Sequence, residues 1–156
     1  MKTLKFNNND QLEAIGLGTW KSDTGKVKSA VKYALKVGYR HIDCAAVYGN
    51  EKEVGEALKE VFEEGHIKRN HVFITSKLWN NAHRKEDVKP ALQQTLKDLQ
   101  LDYLDLYLMH WPVAFKSGLE GFPSSDDDFL SLEEVPLKET WESMVDLVKE
   151  DLVKHV

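Results

Sequence analysis

The sequence predicts an α/β fold, namely part of a (β/α)8 barrel with an N-terminal β-hairpin, four strand–helix units and the start of a fifth strand. Three observations predict it. Short apolar runs alternate with helix-periodic segments, which is typical of right-handed βαβ units and a parallel sheet. The first glycine-rich turn, Gly16-Leu17-Gly18-Thr19-Trp20-Lys21, lacks the third glycine of a dinucleotide-binding doubly wound sheet. Polar residues follow the apolar runs at successive strand ends, and barrel active sites lie at the carboxyl ends of strands.

The elements follow in order from the N-terminus. Residues 3–6 and 12–14 flank a turn-forming cluster at 7–10 (Asn-Asn-Asn-Asp), which predicts the β-hairpin. The predicted strands after it are residues 15–18, 41–43, 72–76, 103–109 and, at the end of the chain, 154–156. Apolar residues at helical spacing follow each of the first four strands, so each helix should bury one stripe. The stripes are Val27, Ala30, Val31, Ala34 and Leu35; Val54, Ala57, Leu58, Val61 and Phe62; Val88, Ala91, Leu92, Thr95, Leu96 and Leu99; and Trp141, Met144, Val145, Val148 and Leu152.

Two local features bear on the helix boundaries. Asn50 with Glu53 predicts a capping arrangement at the start of the second helix. Pro90 is compatible with the third helix only near its first turn, because proline lacks the N–H that a helix interior needs.

Composition and charge narrow the class of protein. At 156 residues the chain is predicted to form a single domain, residues 1–156. The formal net charge of −5 disfavours nucleic acid and acidic membrane surfaces as partners, since both require a basic face. No apolar stretch resembles a signal peptide or a membrane span. The single cysteine, Cys44, cannot form an intramolecular disulfide, which favours the reducing cytoplasm.

The segment 112–135 is long for a connection inside a domain. It carries Phe115, Phe122 and Phe129 beside the acidic run 126–128. A disordered linker rarely holds so many aromatic residues, so a lid over a pocket is the favoured interpretation.

Four polar residues at strand ends have the chemistry that carbonyl reduction needs: Asp43, Tyr48, Lys77 and His110. Negative charge develops on the carbonyl oxygen during hydride attack, so an acid must deliver a proton there. A phenol is a weak acid with a pKa of about 10, but an adjacent ammonium lowers a phenol's pKa, and a carboxylate keeps that ammonium charged. A neutral imidazole can hydrogen-bond and align the substrate oxygen.

Each of the four has an ordinary interpretation when taken alone: a turn aspartate, a packed tyrosine, an exposed lysine and a structural histidine. Their combination with Trp20, Trp79 and Trp111 at the same strand ends favours a functional site. Three tryptophans at a barrel mouth predict an apolar pocket for an aldehyde or ketone, with core packing as the alternative.

Other chemistries have no matching pattern. No His, Cys, Asp or Glu residues show metal-ligand spacing, so no metal site is predicted. The chain contains neither Gly-x-Ser-x-Gly nor Gly-x-x-x-x-Gly-Lys. His66, His71 and His83 lie in or beside polar loops, and we expect them to be solvated.

The chain resembles the N-terminal half of an aldo-keto reductase, of the aldose reductase and aldehyde reductase type. The resemblance covers nearly the whole chain. The matching stretches are residues 16–20 (Gly-Leu-Gly-Thr-Trp), 38–43 (Gly-Tyr-Arg-His-Ile-Asp), 46–51 (Ala-Val-Tyr-Gly-Asn-Glu), 74–79 (Ile-Thr-Ser-Lys-Leu-Trp), 101–112, 140–144 and 152–154.

The resemblance implies roles for individual residues. Tyr48 would be the general acid, Lys77 and Asp43 its tuning partners, and His110 the group that orients the substrate. The residues near the nicotinamide and its ribose would be Thr19, Trp20, Asp43 and Lys77. The substrate pocket would be lined by Trp20, Val47, Trp79, His110, Trp111, Phe115 and Phe122. The family transfers hydride from NADPH to aldehydes and ketones and needs no metal.

The chain also departs from the family pattern. In such enzymes much of the cofactor site lies in the second half of the barrel, as a Ser-Asn pair, a stacking tyrosine and a basic segment for the 2′-phosphate, and none of these is present here. The leading hypothesis is therefore an NADPH-dependent carbonyl reductase whose N-terminal portion is this chain, weak or inactive by itself. The alternative is a non-catalytic regulatory or structural protein on the same scaffold. A third hypothesis is that two half-barrels self-associate, because open sheet edges favour pairing.

Overall fold

The computed structural model describes residues 2–156 and has the predicted order of strands and helices, with an additional pair of short strands inside the segment 112–135. The elements are β1 (Thr3–Lys5), β2 (Gln11–Glu13), β3 (Leu17–Gly18), α1 (Val27–Lys36), β4 (His41–Asp43), α2 (Glu51–Glu63), β5 (Phe73–Leu78), α3 (Lys85–Leu99), β6 (Leu104–Met109), β7 (Ala114–Phe115), β8 (Phe129–Leu130), α4 (Leu137–Lys149) and β9 (Val153–His155). No helix within residues 2–156 is both long enough and apolar enough to cross a membrane.

A parallel sheet in the order β3-β4-β5-β6-β9 forms the centre of the fold. Ile42 pairs with Ile74, and Leu104 pairs with Val153, so consecutive strands run side by side. Helices α1, α2 and α3 each pack against the next helix along the chain. The sheet does not close within the described residues, and β3 and β9 form its two edges. The predicted α/β fold with a partial barrel is confirmed.

The β1–β2 hairpin packs near the amino end of the sheet. Phe6 stacks on Phe73 at the start of β5, with 5.9 Å between ring centroids, and on His155, with 4.1 Å. The carboxyl ends of the strands lie at the opposite end of the sheet, where the predicted site residues are found.

The helix stripes are mostly buried as predicted, with two exceptions. Ala30 is exposed, and Trp141 on α4 is 47% exposed. The buried residues of α4 are Thr140, Met144 and Leu147. The hydroxyl of Thr140 donates to the backbone carbonyl of His83 at 2.8 Å, so this position faces the core. Successive helical residues are rotated by about 100°, which turns Trp141 outward.

Pro90 lies outside the first turn, which corrects the expected position. It is the sixth residue of α3, where a helix would normally use its N–H to bond the carbonyl of Glu86. Both residues are exposed, so solvent can hydrate the unpaired carbonyl.

The predicted capping arrangement of Asn50 and Glu53 is wrong. Asn50 is the N-cap residue of α2 but makes no side-chain capping bond. Its Nδ2 instead donates to the carbonyl oxygen of Thr19 at 2.8 Å. The Glu53 carboxylate accepts from the backbone N–H of Gly25 at 2.9 Å and 3.1 Å. Both side chains therefore bind the segment that follows β3, because tertiary partners outcompete the local ones.

His83 is buried, which corrects the expectation of a solvated side chain. It is 1% exposed, and burial lowers the pKa of its imidazole to about 4, so the ring is neutral near pH 7. Neither ring nitrogen has a hydrogen-bond partner among the described residues. His66 and His71 are exposed, as predicted.

Helices α2 and α3 approach closely at Gly55. A Cβ atom on Gly55 would lie 2.3 Å from the carbonyl oxygen of Asp98 and 2.7 Å from the carbonyl carbon of Leu99. Both obstacles are backbone atoms, so a side-chain rotation cannot relieve the overlap. The absence of a side chain at this position lets the two helices pack.

We expect Gly55→Ala to destabilise the protein. Alanine in a helix normally gains about 1 kcal/mol over glycine, but forcing a methyl group into packed backbone costs about 1–3 kcal/mol, and the net effect should be a loss. Urea unfolding measures the difference. The matched control is Gly18→Ala, since a Cβ on Gly18 meets no atom within 4 Å. A gain in the free energy of unfolding for Gly55→Ala would contradict this account of the contact.

Candidate active site

The carboxyl ends of the parallel strands bring the predicted polar residues to one end of the sheet. Asp43 ends β4, Lys77 is the next-to-last residue of β5, and His110 follows β6. Gly18 pairs with Asp43, so the residues after β3 lie beside the end of β4. Tyr48 comes from the 3₁₀ turn Ala46–Tyr48, which follows β4 and precedes α2.

Lys77 is the centre of the polar cluster. Its Nζ lies 2.9 Å from both carboxylate oxygens of Asp43, 2.7 Å from the carbonyl oxygen of Cys44 and 3.1 Å from Oη of Tyr48. An ammonium has three N–H donors, and a carboxylate, a carbonyl and a hydroxyl satisfy all three. The side chain is 12% exposed, so water contributes little to its solvation. Because Oη of Tyr48 accepts from Lys77, the Tyr48 O–H can donate to another group.

His110 lies against Tyr48. The two rings meet edge to face with 5.9 Å between centroids, and the backbone N–H of His110 donates to the carbonyl of Leu78 at 3.1 Å. Burial lowers the pKa of His110, the charge of Lys77 lowers it further, and Asp43 opposes the shift. The imidazole is therefore neutral near pH 7. Its Nδ1 is buried with no hydrogen-bond partner in residues 2–156, which leaves Nε2 as the ring nitrogen to face a substrate.

Thr19 and Trp20 follow β3 and differ in exposure. Thr19 is buried, and both its N–H and its hydroxyl donate to the backbone carbonyl of Asp43, at 3.1 Å and 2.9 Å. Trp20 is 64% exposed and stacks beside Tyr48 with 6.3 Å between ring centroids. Val47, on the 3₁₀ turn, is half-buried. Thr19 therefore holds the end of β4, and Trp20 presents an open aromatic face next to Tyr48.

Trp79 organises the aromatic side of the site. Its ring centroid lies 5.2 Å from both His110 and Trp111, 5.3 Å from Phe122 and 5.6 Å from Phe115, in edge-to-face contacts. Trp111 and Phe122 are largely exposed, whereas Trp79 and Phe115 are buried. Phe115 therefore lies behind Trp79, and Trp111 and Phe122 form the open surface. Edge-to-face aromatic pairs of this kind fix ring orientation.

The segment 112–135 is folded and attached to the end of β5. It contains the antiparallel pair β7–β8. Trp79 Nε1 donates to the carbonyl of Gly121 at 3.1 Å, and Asn81 Nδ2 donates to the carbonyl of Leu119 at 2.7 Å. These bonds place the segment over the aromatic cluster, and its role as a lid stays a prediction.

Four residues are predicted to hold a nicotinamide nucleotide: Thr19, Trp20, Asp43 and Lys77. A nicotinamide riboside needs a flat apolar face and acceptors for ribose hydroxyls. Trp20 supplies an exposed face, and the carboxylate of Asp43 is partly exposed beside Lys77. The hydroxyl of Thr19 is already bonded to the Asp43 carbonyl, so Thr19 can contribute by position rather than by its hydroxyl. Trp20 and Asp43 therefore fit the group, whereas the N–H donors of Lys77 are all used within the cluster.

Sequence reasoning missed two contributors to the cluster. The carbonyl of Cys44 is an acceptor for Lys77, and a backbone group of this kind has no signature in the residue types. The carboxylate of Glu51 is buried among side chains that adjoin the cluster. Glu51 lies in the first turn of α2, where acidic residues commonly interact with the helix dipole. The sequence therefore does not predict that its carboxylate is buried.

A solved structure has a closely similar fold. The structure matches the aldose reductase from Schistosoma japonicum with a TM-score of 0.92 and 50% sequence identity, over 99% of this chain and 51% of that chain. At 50% identity, the match supports a shared family as well as a shared fold.

Curated relatives agree with the structural match. Aldo-keto reductase family 1 member A1 of Xenopus tropicalis is 59% identical over 147 residues, or 94% of this chain and 45% of the relative. The human protein of the same name is 58% identical over 145 residues, or 92% of this chain and 45% of the relative. The chain spans about half the length of the curated relatives it matches. The model of the Aldo/keto reductase family matches residues 14–156, and the chain therefore belongs to that family.

Proposed function

We propose that the chain carries the acid–base residues of an NADPH-dependent oxidoreductase that reduces aldehydes and ketones to alcohols. The observation that supports this most is the contact of 3.1 Å between Lys77 Nζ and Tyr48 Oη, with Asp43 on the same ammonium. Family membership and the aldose reductase match support the reaction class. Since the chain spans about half of its relatives, the activity of the complete enzyme is part of the proposal.

Tyr48 is the proton donor in this proposal. Its O–H is not used in the contact with Lys77 and can point to a carbonyl oxygen. As that oxygen gains negative charge, the proton moves to it from Tyr48 Oη. The ammonium of Lys77 then donates a hydrogen bond to the phenolate that remains, and Asp43 holds the ammonium in place. Proton transfer thus moves the negative charge from the substrate oxygen to Tyr48 Oη, which Lys77 already contacts.

His110 orients the substrate. A neutral imidazole donates one N–H and does not compete with Tyr48 as an acid. Burial and the charge of Lys77 both lower the pKa of His110, and both therefore favour the neutral ring. The edge-to-face contacts with Tyr48 and Trp79 limit rotation of the ring. A carbonyl oxygen can then be bonded by Tyr48 and His110 together.

The cofactor and substrate surfaces follow from the same residues. When bound, NADPH supplies the hydride, and Trp20 and Asp43 would hold its nicotinamide riboside. Trp111 and Phe122 give an exposed aromatic surface beside His110, which suits the apolar side of an aromatic aldehyde. The preference for NADPH over NADH rests on the family.

We expect Tyr48→Phe to slow aldehyde reduction strongly, because it removes the transferable proton and leaves the aromatic ring. The rate should fall by about 10²–10⁴-fold, which is the usual contribution of a positioned acid. The assay follows oxidation of NADPH, and of NADH, with an aromatic aldehyde. It uses the 156-residue chain and, in parallel, the chain joined to the remaining C-terminal part of the human relative.

The two forms of the protein separate the possible outcomes. Turnover in the joined protein that is lost in Tyr48→Phe supports the proposed role. Turnover by the chain alone, with a doubled native mass, would mean that two copies form the site. A folded joined protein without turnover would overturn the proposal in favour of a non-catalytic role.

We expect Lys77→Met to slow the reaction about as strongly as Tyr48→Phe. Methionine fills similar space but cannot donate a hydrogen bond to the phenolate, so the charge left after proton transfer is not stabilised. The steady-state rate of the joined protein measures the effect, and the fluorescence of added NADPH measures cofactor binding. Lys52→Met, at an exposed position on α2, is the control. A Lys77→Met rate within twofold of the wild type would contradict the proposed coupling.

A further inference from the structure

Glu51 is a buried carboxylate that the proposed mechanism does not use. It is the first residue of α2 and is 5% exposed. The hydroxyl of Ser76 donates to its Oε1 at 2.6 Å, and the hydroxyl of Thr95 donates to its Oε2 at 3.1 Å. One carboxylate thus joins α2 to β5 and to α3.

This carboxylate lies close in the chain to both partners of the proton-donor contact. Tyr48 precedes Glu51 by three residues, and Ser76 directly precedes Lys77. Neighbouring residues of a strand point to opposite faces of the sheet, so Ser76 faces the helices when Lys77 faces the site. The bond between Ser76 and Glu51 therefore joins the backbone of Lys77 to the backbone that follows Tyr48, from the side opposite the site.

Asn50 provides a second attachment for the same turn. Its Nδ2 donates to the carbonyl of Thr19, and Thr19 donates twice to the carbonyl of Asp43. Gly49, with φ of +70°, makes the sharp bend between Tyr48 and Asn50. The turn that carries Tyr48 is thus attached to the end of β4 through Asn50 and to β5 through Glu51.

Resting on the proposed function, we propose that Glu51 is a positioning residue that fixes Tyr48 Oη against Lys77 Nζ. Misplacing a reacting group by about 1 Å can cost about 10²-fold in rate, so the attachment has a catalytic consequence. Stability alone does not account for a carboxylate here. Two neutral hydroxyls compensate poorly for burying a charge, and an uncharged side chain would be less costly at this position.

The surroundings of Glu51 reflect that cost. Burial raises the pKa of Glu51 to about 7, and the charge of Asp98 on α3 adds to the shift. The bonds from Ser76 and Thr95 oppose it, as does the charge of Lys77 on β5. The remaining titratable groups that face the carboxylate are Cys44 and Tyr107, whose pKa values are raised by burial and further by the charge of Glu51.

The carboxylate and the acid form of Glu51 bind the two hydroxyls differently. The carboxylate accepts from both, whereas the acid carries one O–H donor, so one hydroxyl must turn to accept. Because the pKa is near 7, the bonding of Glu51 to these two hydroxyls changes within the neutral range. The pH profile of the rate should therefore contain a step that Glu51→Gln removes.

The test compares two substitutions that each remove one hydroxyl from the same carboxylate. Ser76→Ala breaks the bond to β5, and Thr95→Val breaks the bond to α3, which carries none of the four proposed catalytic residues. Glu51→Gln removes the charge while keeping the shape. If Glu51 positions the turn, Ser76→Ala and Glu51→Gln should lower kcat at least tenfold with little change in KM. Thr95→Val should change kcat by less than threefold.

Amide hydrogen exchange provides a readout that needs no turnover. The N–H of Tyr48 donates to the carbonyl of Ala45 at 3.0 Å and reports on the turn itself. In the 156-residue chain, we expect this N–H to exchange at least tenfold faster in Ser76→Ala than in Thr95→Val. Denaturant is adjusted so that the two variants have the same free energy of unfolding.

The two readouts separate this inference from the proposed function. Equal exchange and equal kcat in Ser76→Ala and Thr95→Val would overturn the positioning role and leave Glu51 a structural residue. A wild-type joined protein without turnover would overturn the proposed function, while the exchange comparison would still decide whether Glu51 fixes the turn. If Glu51→Gln does not fold, Ser76→Ala still decides the question.

Discussion

The largely buried ammonium of Lys77 is the constraint on which the rest of the site depends. A cation with so little access to water needs an acceptor for every N–H, because an unpaired charge in such a place is very costly. The acceptors come from one short stretch after β4, namely Asp43, the carbonyl of Cys44 and Tyr48. They reach Lys77 only when β4 and β5 are in register and the 3₁₀ turn is in place. The cluster therefore requires the observed pairing of β4 and β5.

Two kinds of contact surround that ammonium and serve different purposes. Hydrogen bonds from Thr19, Asn50 and Ser76 fix the backbone around Tyr48. Edge-to-face contacts around Trp79 fix His110 and the open aromatic surface. The polar side of the site is thus held by directional bonds. The apolar side is held by packing. Substitutions in the segment 112–135 should therefore cost less than the loss of a hydrogen-bond donor on the polar side.

Much of this arrangement could be predicted from the residues. Alternating strands and helices imply parallel pairing, and parallel pairing brings Asp43, Lys77 and His110 to one end of the sheet. Two of the errors show tertiary contacts overriding what the local sequence suggests. Asn50 has a helix N-terminus next to it but bonds to Thr19. His83 lies in a polar stretch of sequence but is buried beneath α4, whose Thr140 bonds its carbonyl.

The sequence by itself determined the fold class, the order of the elements, the family and the residue types at the strand ends. The fold class and the order of the elements follow from periodicity and spacing, which act over a few residues, and the family follows from the matching motifs. Only the tertiary structure decided which acceptors Lys77 uses, that the Cys44 carbonyl is among them, and that Glu51 lies in the core between Ser76 and Thr95. These depend on the separation of atoms that are distant in the chain. The residue type alone does not show whether a carboxylate is buried or whether a backbone carbonyl accepts a bond from a distant residue.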